Sequence, residues 1–196
     1  MHTNININMH IGRFYVWGMF FGGIEALASS SSCVCTTVPC PVEGKNYLNA
    51  GGGGEGVYTY SLNDDGIAVV ASAEVTISSA DLDHGTDTTS CTQSYSRTMD
   101  DDGVEDCDAG HILAHRLGGY GNQTINIFPQ DISVNRGAFN QFEDSIYDCI
   151  ESGATSAKLS WTFAYEDTTK TKPDKVDYDA IFTGGDCLEL NSAFTN

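Results

Sequence analysis

The chain has 196 residues, of which 40% are hydrophobic, and its nine lysines and arginines face 27 aspartates and glutamates. This length is typical of one domain, and the hydrophobic fraction can form a core, which excludes a disordered chain despite a formal net charge of −18. A charge this negative repels polyanions at long range, so composition alone argues against a nucleic-acid partner.

The first segment of the chain is typical of a secretory signal peptide. Arg13 precedes an apolar run, 14–28, that ends in Ala-Leu-Ala before a row of serines. The run is shorter than the roughly 20 apolar residues that span a bilayer, so no stable membrane association is expected after processing. The alternative is a buried N-terminal helix or strand. We therefore predict a signal peptide over residues 1–28 and a secreted, extracellular protein.

Every cysteine of the chain follows the predicted cleavage site: Cys33, Cys35, Cys40, Cys91, Cys107, Cys149 and Cys187. In an exported protein such scattered cysteines predict disulfide bonds, and because their number is odd, one is left free or pairs outside the chain. The spacing does not determine which cysteines pair. Residues 29–56 are rich in serine, cysteine and glycine and are predicted to form an N-terminal arm, with the folded domain over 57–196.

Strand patterns occupy both ends of this domain. β-Branched and aromatic residues predict strands over 57–62 and 66–78, and the alternation returns over 156–167 and 175–185. The polar, acidic stretch 79–108 is predicted to be a long connection that is either functional or held by Cys91 and Cys107. Its acidic run, 100–106, is predicted to be a solvated loop; the alternative is a run that attracts divalent cations or limits activity until salt or low pH screens it.

One main helix is predicted between these strand regions, over 135–150. Apolar residues recur there at three- and four-residue steps: Phe139, Phe142, Ile146 and Ile150. Strands, a functional loop, one helix and further strands together predict an α+β domain.

The stretch Cys107–Gly119, CDAGHILAHRLGG, contains two histidines. A histidine whose pKa is near 6.5 can accept a proton from water at neutral pH, which makes His111 a candidate general base. His115 follows four residues later, so a metal site on one helix face is an alternative. The zinc-protease motif requires glutamate where this chain has Ile112, which argues against a metalloprotease.

Oxygen ligands follow downstream, at Asn135 and Glu143. Eight residues of helix separate them by about 12 Å along the axis and leave them within about 80° of each other, so both can reach one side. The alternative for Asn135 is an N-cap at the helix start. Oxygen ligands suit Mg²⁺, and a histidine base, Mg²⁺ and an arginine form a coherent set for phosphodiester hydrolysis.

Four ordered blocks identify a resemblance: Asp-Ala-Gly-His at 108–111, Gly-Gly at 118–119, Asn-Ile-Phe-Pro-Gln at 126–130, and Asn-Arg-Gly-Ala-Phe at 135–139 followed by Glu143. Together they resemble the DNA/RNA non-specific endonuclease family, and within it a toxin-like and streptococcal-DNase-like branch. The resemblance implies a ββα-metal nuclease core, with an antiparallel sheet and one main metal-site helix. Ala109 stands where the best-known members have an arginine.

The resemblance also implies roles for individual residues. His111 matches the general base, Asn135 the direct ligand of a single Mg²⁺ that Mn²⁺ can replace, and Glu143 the acid that holds the metal-bound waters. Asn126 matches an asparagine that supports the site. The implied reaction is hydrolysis of DNA or RNA by water, leaving 5′-phosphate ends, with contacts to the phosphate backbone rather than to base edges.

The phosphate-binding arginine remains open, because Ala109 removes the usual one. Arg136, Arg97 and Arg116 are the candidates for binding the phosphate and stabilising its developing charge. A second class of function is a secreted, disulfide-rich binding protein that kept a nuclease fold and lost activity. Ala109 and the acidic loop favour that alternative, whereas the intact set of His111, Asn135 and Glu143 disfavours it.

Overall fold

The structure is a computed structural model that describes residues 35–103 and 107–196. The predicted signal peptide therefore lies outside the described residues. Eight strands occur in chain order: β1 Gly44–Tyr47, β2 Gly56–Leu62, β3 Ala68–Ile77, β4 Cys107–His111, β5 Ile127–Asp131, β6 Ser156–Ala164, β7 Lys175–Thr183 and β8 Leu190–Thr195. The longer helices are α1 Ser90–Thr98 and α3 Asn140–Glu151, with a single turn, α2 Ile132–Val134, before α3.

Six of the strands form one antiparallel sheet in the order β1-β2-β3-β6-β7-β8. One face of this sheet is buried and the other faces solvent, as the alternation along β6 illustrates: Leu159 and Trp161 are buried, whereas Lys158 and Thr162 are exposed. Alternation of this kind is what a half-buried antiparallel sheet requires. The four strands predicted from the sequence all lie in this sheet.

The remaining strands, β4 and β5, form a separate antiparallel pair that brings two of the motif blocks together, with His111 opposite Ile127. Helix α1 packs against this pair through Tyr95 and Met99, which lie in one buried cluster with Ala109 and Ile127. The pair and the helix that follows it make up a ββα unit beside the large sheet. The predicted fold class, α+β with an antiparallel sheet and one main helix at the site, is confirmed.

The helix of this unit is broken rather than straight. Turn α2 continues into a wide, π-type turn, Asn135–Phe139, in which Gly137 leaves helical geometry with φ −112° and ψ −111°, and α3 begins at Asn140. The N-cap alternative for Asn135 is wrong, because its backbone is helical and its side chain bonds to Asp108 instead of capping. The helical region therefore begins at Ile132, before the predicted start at residue 135, and the regular α-helix begins only at Asn140.

Aromatic packing anchors the wide turn, and with it the start of α3, to the sheet. The ring of Phe139, the last residue of the turn, lies 5.5 Å from that of Tyr178 and 4.9 Å from that of Phe194. Tyr178 in turn stacks 4.5 Å from Trp161 on β6. These side chains are all buried. Their packing fixes the start of α3, and therefore the predicted site residue Glu143 in its first turn, relative to the sheet.

The polar connection predicted over 79–108 contains structure of its own. Helix α1 lies in its middle, capped by the Thr89 side chain, which accepts a hydrogen bond from the Thr92 backbone. Sequence reasoning missed this helix because it is short and mostly polar, with its apolar positions provided by only a few residues. β1, β4, β5 and β8 were missed too, since four to six residues do not establish a pattern.

Disulfides join Cys35 to Cys91 and Cys149 to Cys187, and Cys40 is also disulfide-bonded. Cys107 is a free, buried thiol, and its burial raises its pKa to about 11. The prediction that Cys91 holds the connection is confirmed, and the prediction that Cys107 does so is wrong. The boundaries predicted for the arm (29–56) and the domain (57–196) stay a prediction; β1 falls within 29–56 and pairs with β2.

The first part of the acidic run is not a solvated loop, contrary to prediction. The Lys172 side chain, only 3% exposed, lies 2.5 Å from an Asp102 oxygen, 3.7 Å from one of Asp100 and 2.6 Å from one of Asp131. The Asp101 carboxylate accepts hydrogen bonds from the backbone N–H groups of the segment that carries this lysine. The acids cluster because each has a cationic or N–H partner in a chain segment distant in sequence. Residues 104–106 lie outside the described residues.

Within 35–103 and 107–196, the structure contains no helix with the length and apolarity that crossing a membrane requires.

Candidate active site

His111 is the last residue of β4 and lines a cleft beside α3. Its Nε2 lies 3.2 Å from the backbone oxygen of Thr86. Because a carbonyl oxygen only accepts, this contact assigns the proton of the neutral ring to Nε2 and leaves Nδ1 as the basic nitrogen. Gly121 packs against the same nitrogen: a Cβ there would lie 2.4 Å from Nε2, so only glycine fits.

Burial is the main cause that lowers the pKa of His111 below 6.5, and the nearby charge of His115 acts in the same direction. The Thr86 hydrogen bond and the charge of Asp87 oppose it without overcoming it. His111 is therefore neutral at neutral pH, as a proton acceptor must be. His115 is half-exposed, with Nδ1 3.0 Å from an Asp87 oxygen.

Asn126 is completely buried and lies behind the cleft rather than in it. Its Oδ1 accepts hydrogen bonds from the Leu113 N–H at 2.8 Å and from the Tyr58 hydroxyl at 3.2 Å, and its Nδ2 donates to the Leu113 oxygen at 2.9 Å. The Asn126 backbone oxygen also accepts from the N–H of Ile112. These bonds fix the two residues that directly follow His111, and Asn126 itself is not among the residues that line the cleft.

Asn135 and Arg136 both bind Asp108, which faces them from β4. The Asn135 Nδ2 donates to Asp108 Oδ2 at 2.9 Å, and Arg136 donates from Nε and Nη2 at 2.8 Å each. Burial alone would raise the pKa of Asp108, but the hydrogen bonds from Arg136 and Asn135 outweigh it and hold that pKa below its ordinary value. Asp108 was part of the recognised motif, yet no role follows for it from the sequence.

Glu143 lies in the first turn of α3 with its side chain at the bottom of the cleft, and only 8% of the residue is exposed. Its Oε1 is buried and has no hydrogen-bond partner among the described residues. Burial, followed by the negative charge of Asp144, raises its pKa well above the ordinary value, although the charge of Arg116 acts the other way. Buried carboxylates are ordinarily paired with a cation or bound to a metal ion. The buried Oε1 of Glu143 has no hydrogen-bonded cation among the described residues.

Arg116 enters the cleft from the short 3-10 turn His115–Leu117. Its Nη1 forms an ion pair with Asp144, and its guanidinium lies 4.0 Å from the centre of the Tyr147 ring. Tyr147 is itself tied to the opposite loop, since its hydroxyl donates to an Asp83 oxygen at 2.8 Å. Stacking and ion pairing together hold this arginine in one orientation.

The cleft has a volume of about 460 Å³. Five predicted site residues line it: His111, Arg116, Asn135, Arg136 and Glu143. The other lining residues are Ala114, His115 and Asn140. Arg97 is not among them, because it lies exposed in the last turn of α1. The sequence reasoning missed Thr86, Gly121 and Asp108, whose contributions depend on contacts between distant segments.

The donor atoms at the cleft fit Mg²⁺. No cluster of three His, Cys, Asp or Glu side chains able to cage a metal occurs in the described part of the chain. Mg²⁺ does not need such a cage, since it keeps several waters and takes one or two protein oxygens. The Asn135 amide oxygen and the unpartnered Glu143 carboxyl are oxygen ligands of that kind, on the same cleft as a neutral histidine.

Comparison with known proteins identifies a matching sequence family and a similar protein. The sequence model of the family described as DNA/RNA non-specific endonuclease matches residues 48–180. The probable deoxyribonuclease RhsA of Dickeya dadantii (strain 3937) is 36% identical over 115 residues, which are 59% of this chain. The match spans only 8% of the length of that relative.

Among solved structures, NucA from Streptococcus agalactiae with magnesium bound has a TM-score of 0.48 and 14% identity, over 78% of this chain and 84% of NucA. The structure of NucA without metal gives a TM-score of 0.48 and 15% identity, over 81% and 83% of the two chains.

Proposed function

Because the chain belongs to the DNA/RNA non-specific endonuclease family, which confirms the predicted class of enzyme, we propose that it is a secreted, Mg²⁺-dependent nuclease. It hydrolyses phosphodiester bonds of DNA and/or RNA through contacts with the phosphate backbone and leaves 5′-phosphate ends. The observation that carries this proposal is the shared cleft, lined by His111, Asn135 and Glu143.

His111 is the general base of the proposed reaction. Its Nδ1 takes a proton from the attacking water, while the hydrogen bond from Nε2 to the Thr86 oxygen keeps the ring in the required tautomer. Burial keeps the imidazole neutral before the reaction, because it lowers the pKa of His111. Asn126 acts as a positioning residue through the segment after His111.

Asn135 Oδ1 would hold Mg²⁺ directly and Glu143 would hold it through water. When bound there, Mg²⁺ supplies positive charge at the phosphate and at the leaving oxygen. Arg116, and Arg136 through its remaining N–H groups, line the cleft and contact the phosphate. Arg97, outside the cleft lining on α1, would bind backbone farther along a long substrate.

Export is supported by the disulfides Cys35–Cys91 and Cys149–Cys187, which form in oxidising compartments. The predicted signal peptide, 1–28, is part of the same proposal.

The proposal is tested by plasmid nicking with the purified protein and its His111→Ala variant. Removing a general base lowers the rate by about 100-fold or more, so His111→Ala is expected to lose nearly all activity in Mg²⁺. EDTA is expected to stop the unmodified enzyme, and Mg²⁺ or Mn²⁺ to restore it. Product ends that a ligase can rejoin without kinase treatment identify 5′-phosphates.

His84→Ala is the matched control, since His84 is exposed and bonds only through Nδ1 to the Ala80 oxygen at 2.8 Å. It is expected to keep full activity. Circular dichroism shows that each variant is folded. Unchanged nicking by a folded His111→Ala, or cleavage that persists in EDTA, would rule out the proposed mechanism.

A further inference from the structure

Asp108 gathers both motif residues of the wide turn onto one carboxylate. The carboxylate accepts three hydrogen bonds of 2.8–2.9 Å, one from Asn135 and two from Arg136, and its side chain is only 15% exposed. Arg136 holds the carboxylate by two parallel N–H bonds, which fixes its plane as well as its position. The carboxylate therefore presents Oδ2 to Asn135 in one orientation.

This contact determines which end of the Asn135 amide faces the cleft. A carboxylate can only accept, so the Asn135 amide must turn its Nδ2 toward Asp108 and its Oδ1 away. The reversed amide would place two oxygens against each other. No other side chain in the described parts of the chain fixes the Asn135 amide by a hydrogen bond, so Asp108 alone selects between its two orientations.

We propose that Asp108 is a positioning residue that orients the Asn135 amide so that Oδ1, the metal-binding atom, faces the cleft. Arg136 contributes by holding Asp108, in addition to any contact with substrate. The inference rests on the proposed function, because it assumes that Asn135 binds the metal ion.

The direct test is Mn²⁺ binding to the full chain without substrate, measured by the loss of the free-ion signal in electron paramagnetic resonance. Asn135→Ala defines the background, since an acidic protein also binds Mn²⁺ elsewhere. In Asp108→Asn the new amide can either donate or accept, so Asn135 loses its preferred orientation. The Asn135-dependent affinity is expected to fall about 10-fold or more, as when a residue that orients a metal ligand is removed.

A reciprocal exchange separates orientation from structural damage. In the double variant D108N/N135D, the amide at 108 donates to a carboxylate at 135, whose second oxygen faces the cleft. The net charge equals that of the unmodified chain. Mn²⁺ affinity is expected to return to within about threefold of the original and to exceed that of Asn135→Asp alone, in which two carboxylates face each other. The two single variants and the double variant together measure the coupling, which independent defects would not produce.

Asp144→Asn is the matched control for charge. It also removes one carboxylate and one arginine ion pair, that with Arg116, but leaves Asn135 untouched. Asp144→Asn is expected to change Mn²⁺ affinity by less than about threefold. Arg136→Met keeps the bond between Asn135 and Asp108 but removes the two bonds that hold the carboxylate, so it is expected to weaken Mn²⁺ binding, though less than Asp108→Asn does.

The outcomes distinguish the two proposals. If Asn135→Ala binds Mn²⁺ as the unmodified chain does, the proposed metal site fails. If Asn135→Ala weakens binding but Asp108→Asn does not, only the role of Asp108 is overturned. The same holds if Asp144→Asn weakens binding as much as Asp108→Asn, or if the double variant recovers nothing. Loss in Asp108→Asn with recovery in the exchange supports the inference.

Discussion

At His111, burial and the neighbouring charges act on one imidazole in opposite directions. Burial and His115 lower its pKa, whereas Thr86 and Asp87 raise it, and the lowering wins. The consequence is a base that stays neutral below the pH at which an exposed histidine becomes protonated. In this arrangement Thr86 and Gly121 enclose the Nε2 end of the ring.

The pH dependence of kcat/KM follows from this balance. A general base works when it is neutral, so the rate rises as pH rises through the pKa of His111, and this acid limb is expected below pH 6.5. His115→Gln removes a like charge, so the pKa of His111 rises and the limb moves to higher pH. His84→Gln, which alters an exposed histidine, should leave it in place. A limb that ignores His115→Gln belongs to a different group.

Asn126 matters for stability as much as for the site. Asn126→Ala leaves the N–H and oxygen of Leu113 and the Tyr58 hydroxyl without partners in the interior. Because each buried, unsatisfied group costs about 1–3 kcal/mol, the free energy of unfolding is expected to fall by about 3 kcal/mol or more.

Urea unfolding measures this loss for Asn126→Ala. The control is Asn49→Ala, at an exposed asparagine, which should change the free energy of unfolding by less than about 0.5 kcal/mol. Equal effects of the two substitutions would show that the bonds of Asn126 do not stabilise the segment after His111.

At the scale of elements, the site forms where the β4–β5 pair meets the broken helix. The strands supply His111 and Asp108, the wide turn supplies Asn135 and Arg136, and α3 supplies Glu143. The break at Gly137 separates the turn from α3, so Asn135 and Glu143 approach one cleft from two short segments rather than along one straight helix.

Lys172 connects three segments of the fold by ion pairs. It binds Asp100 and Asp102 after α1 and Asp131 at the end of β5, from the segment that leads into β7. Lys172→Met removes the cation that these carboxylates share; the side chain of Asp100 is 10% exposed, that of Asp102 33% and that of Asp131 39%. The free energy of unfolding in urea should therefore fall by more than about 1 kcal/mol, the contribution of an exposed ion pair, and by less than about 5 kcal/mol, the cost of breaking a fully buried one.

Lys158→Met is the control for this substitution. Lys158 is 54% exposed and pairs with Glu74, which is 61% exposed, so the loss should be at most about 1 kcal/mol. If Lys172→Met were no more destabilising than Lys158→Met, the ion pairs of Lys172 with the acidic residues would not stabilise the fold.

For the whole molecule, the net charge of −18 conflicts with a polyanionic substrate. The cleft does not offset it with free cations, because Arg116 is paired with Asp144 and Arg136 with Asp108. In the proposed enzyme, substrate binding would therefore depend on few phosphate contacts and on the metal ion, rather than on a broad basic surface.

Salt dependence tests this directly. With His111→Ala and a short DNA duplex in EDTA, binding is expected to be weak, and log K is expected to fall with log salt at a slope no steeper than about −2, as for one or two phosphate contacts. Fluorescence anisotropy measures both quantities. A tight complex with a steep slope would contradict this view of the charge distribution.

The sequence by itself determined the family, the α+β class, the long strands of the sheet and the main helix. These features depend on local periodicity or on ordered motif blocks, which can be recognised without knowing contacts. His111, Asn135, Arg116, Arg136 and Glu143 were all named from the sequence, and the structure brings them to one cleft.

Only the tertiary structure decided how these residues are arranged. Helix α1 and the short strands lack a pattern of their own and exist because other segments pack on them. The sequence did not show that the acidic run links parts of the fold, since its partner Lys172 lies about 70 residues away in the chain. Asp108 likewise acquires its role through Asn135 and Arg136, 27 and 28 residues away. A residue's type is local information, but its hydrogen-bond partner is a property of the folded chain.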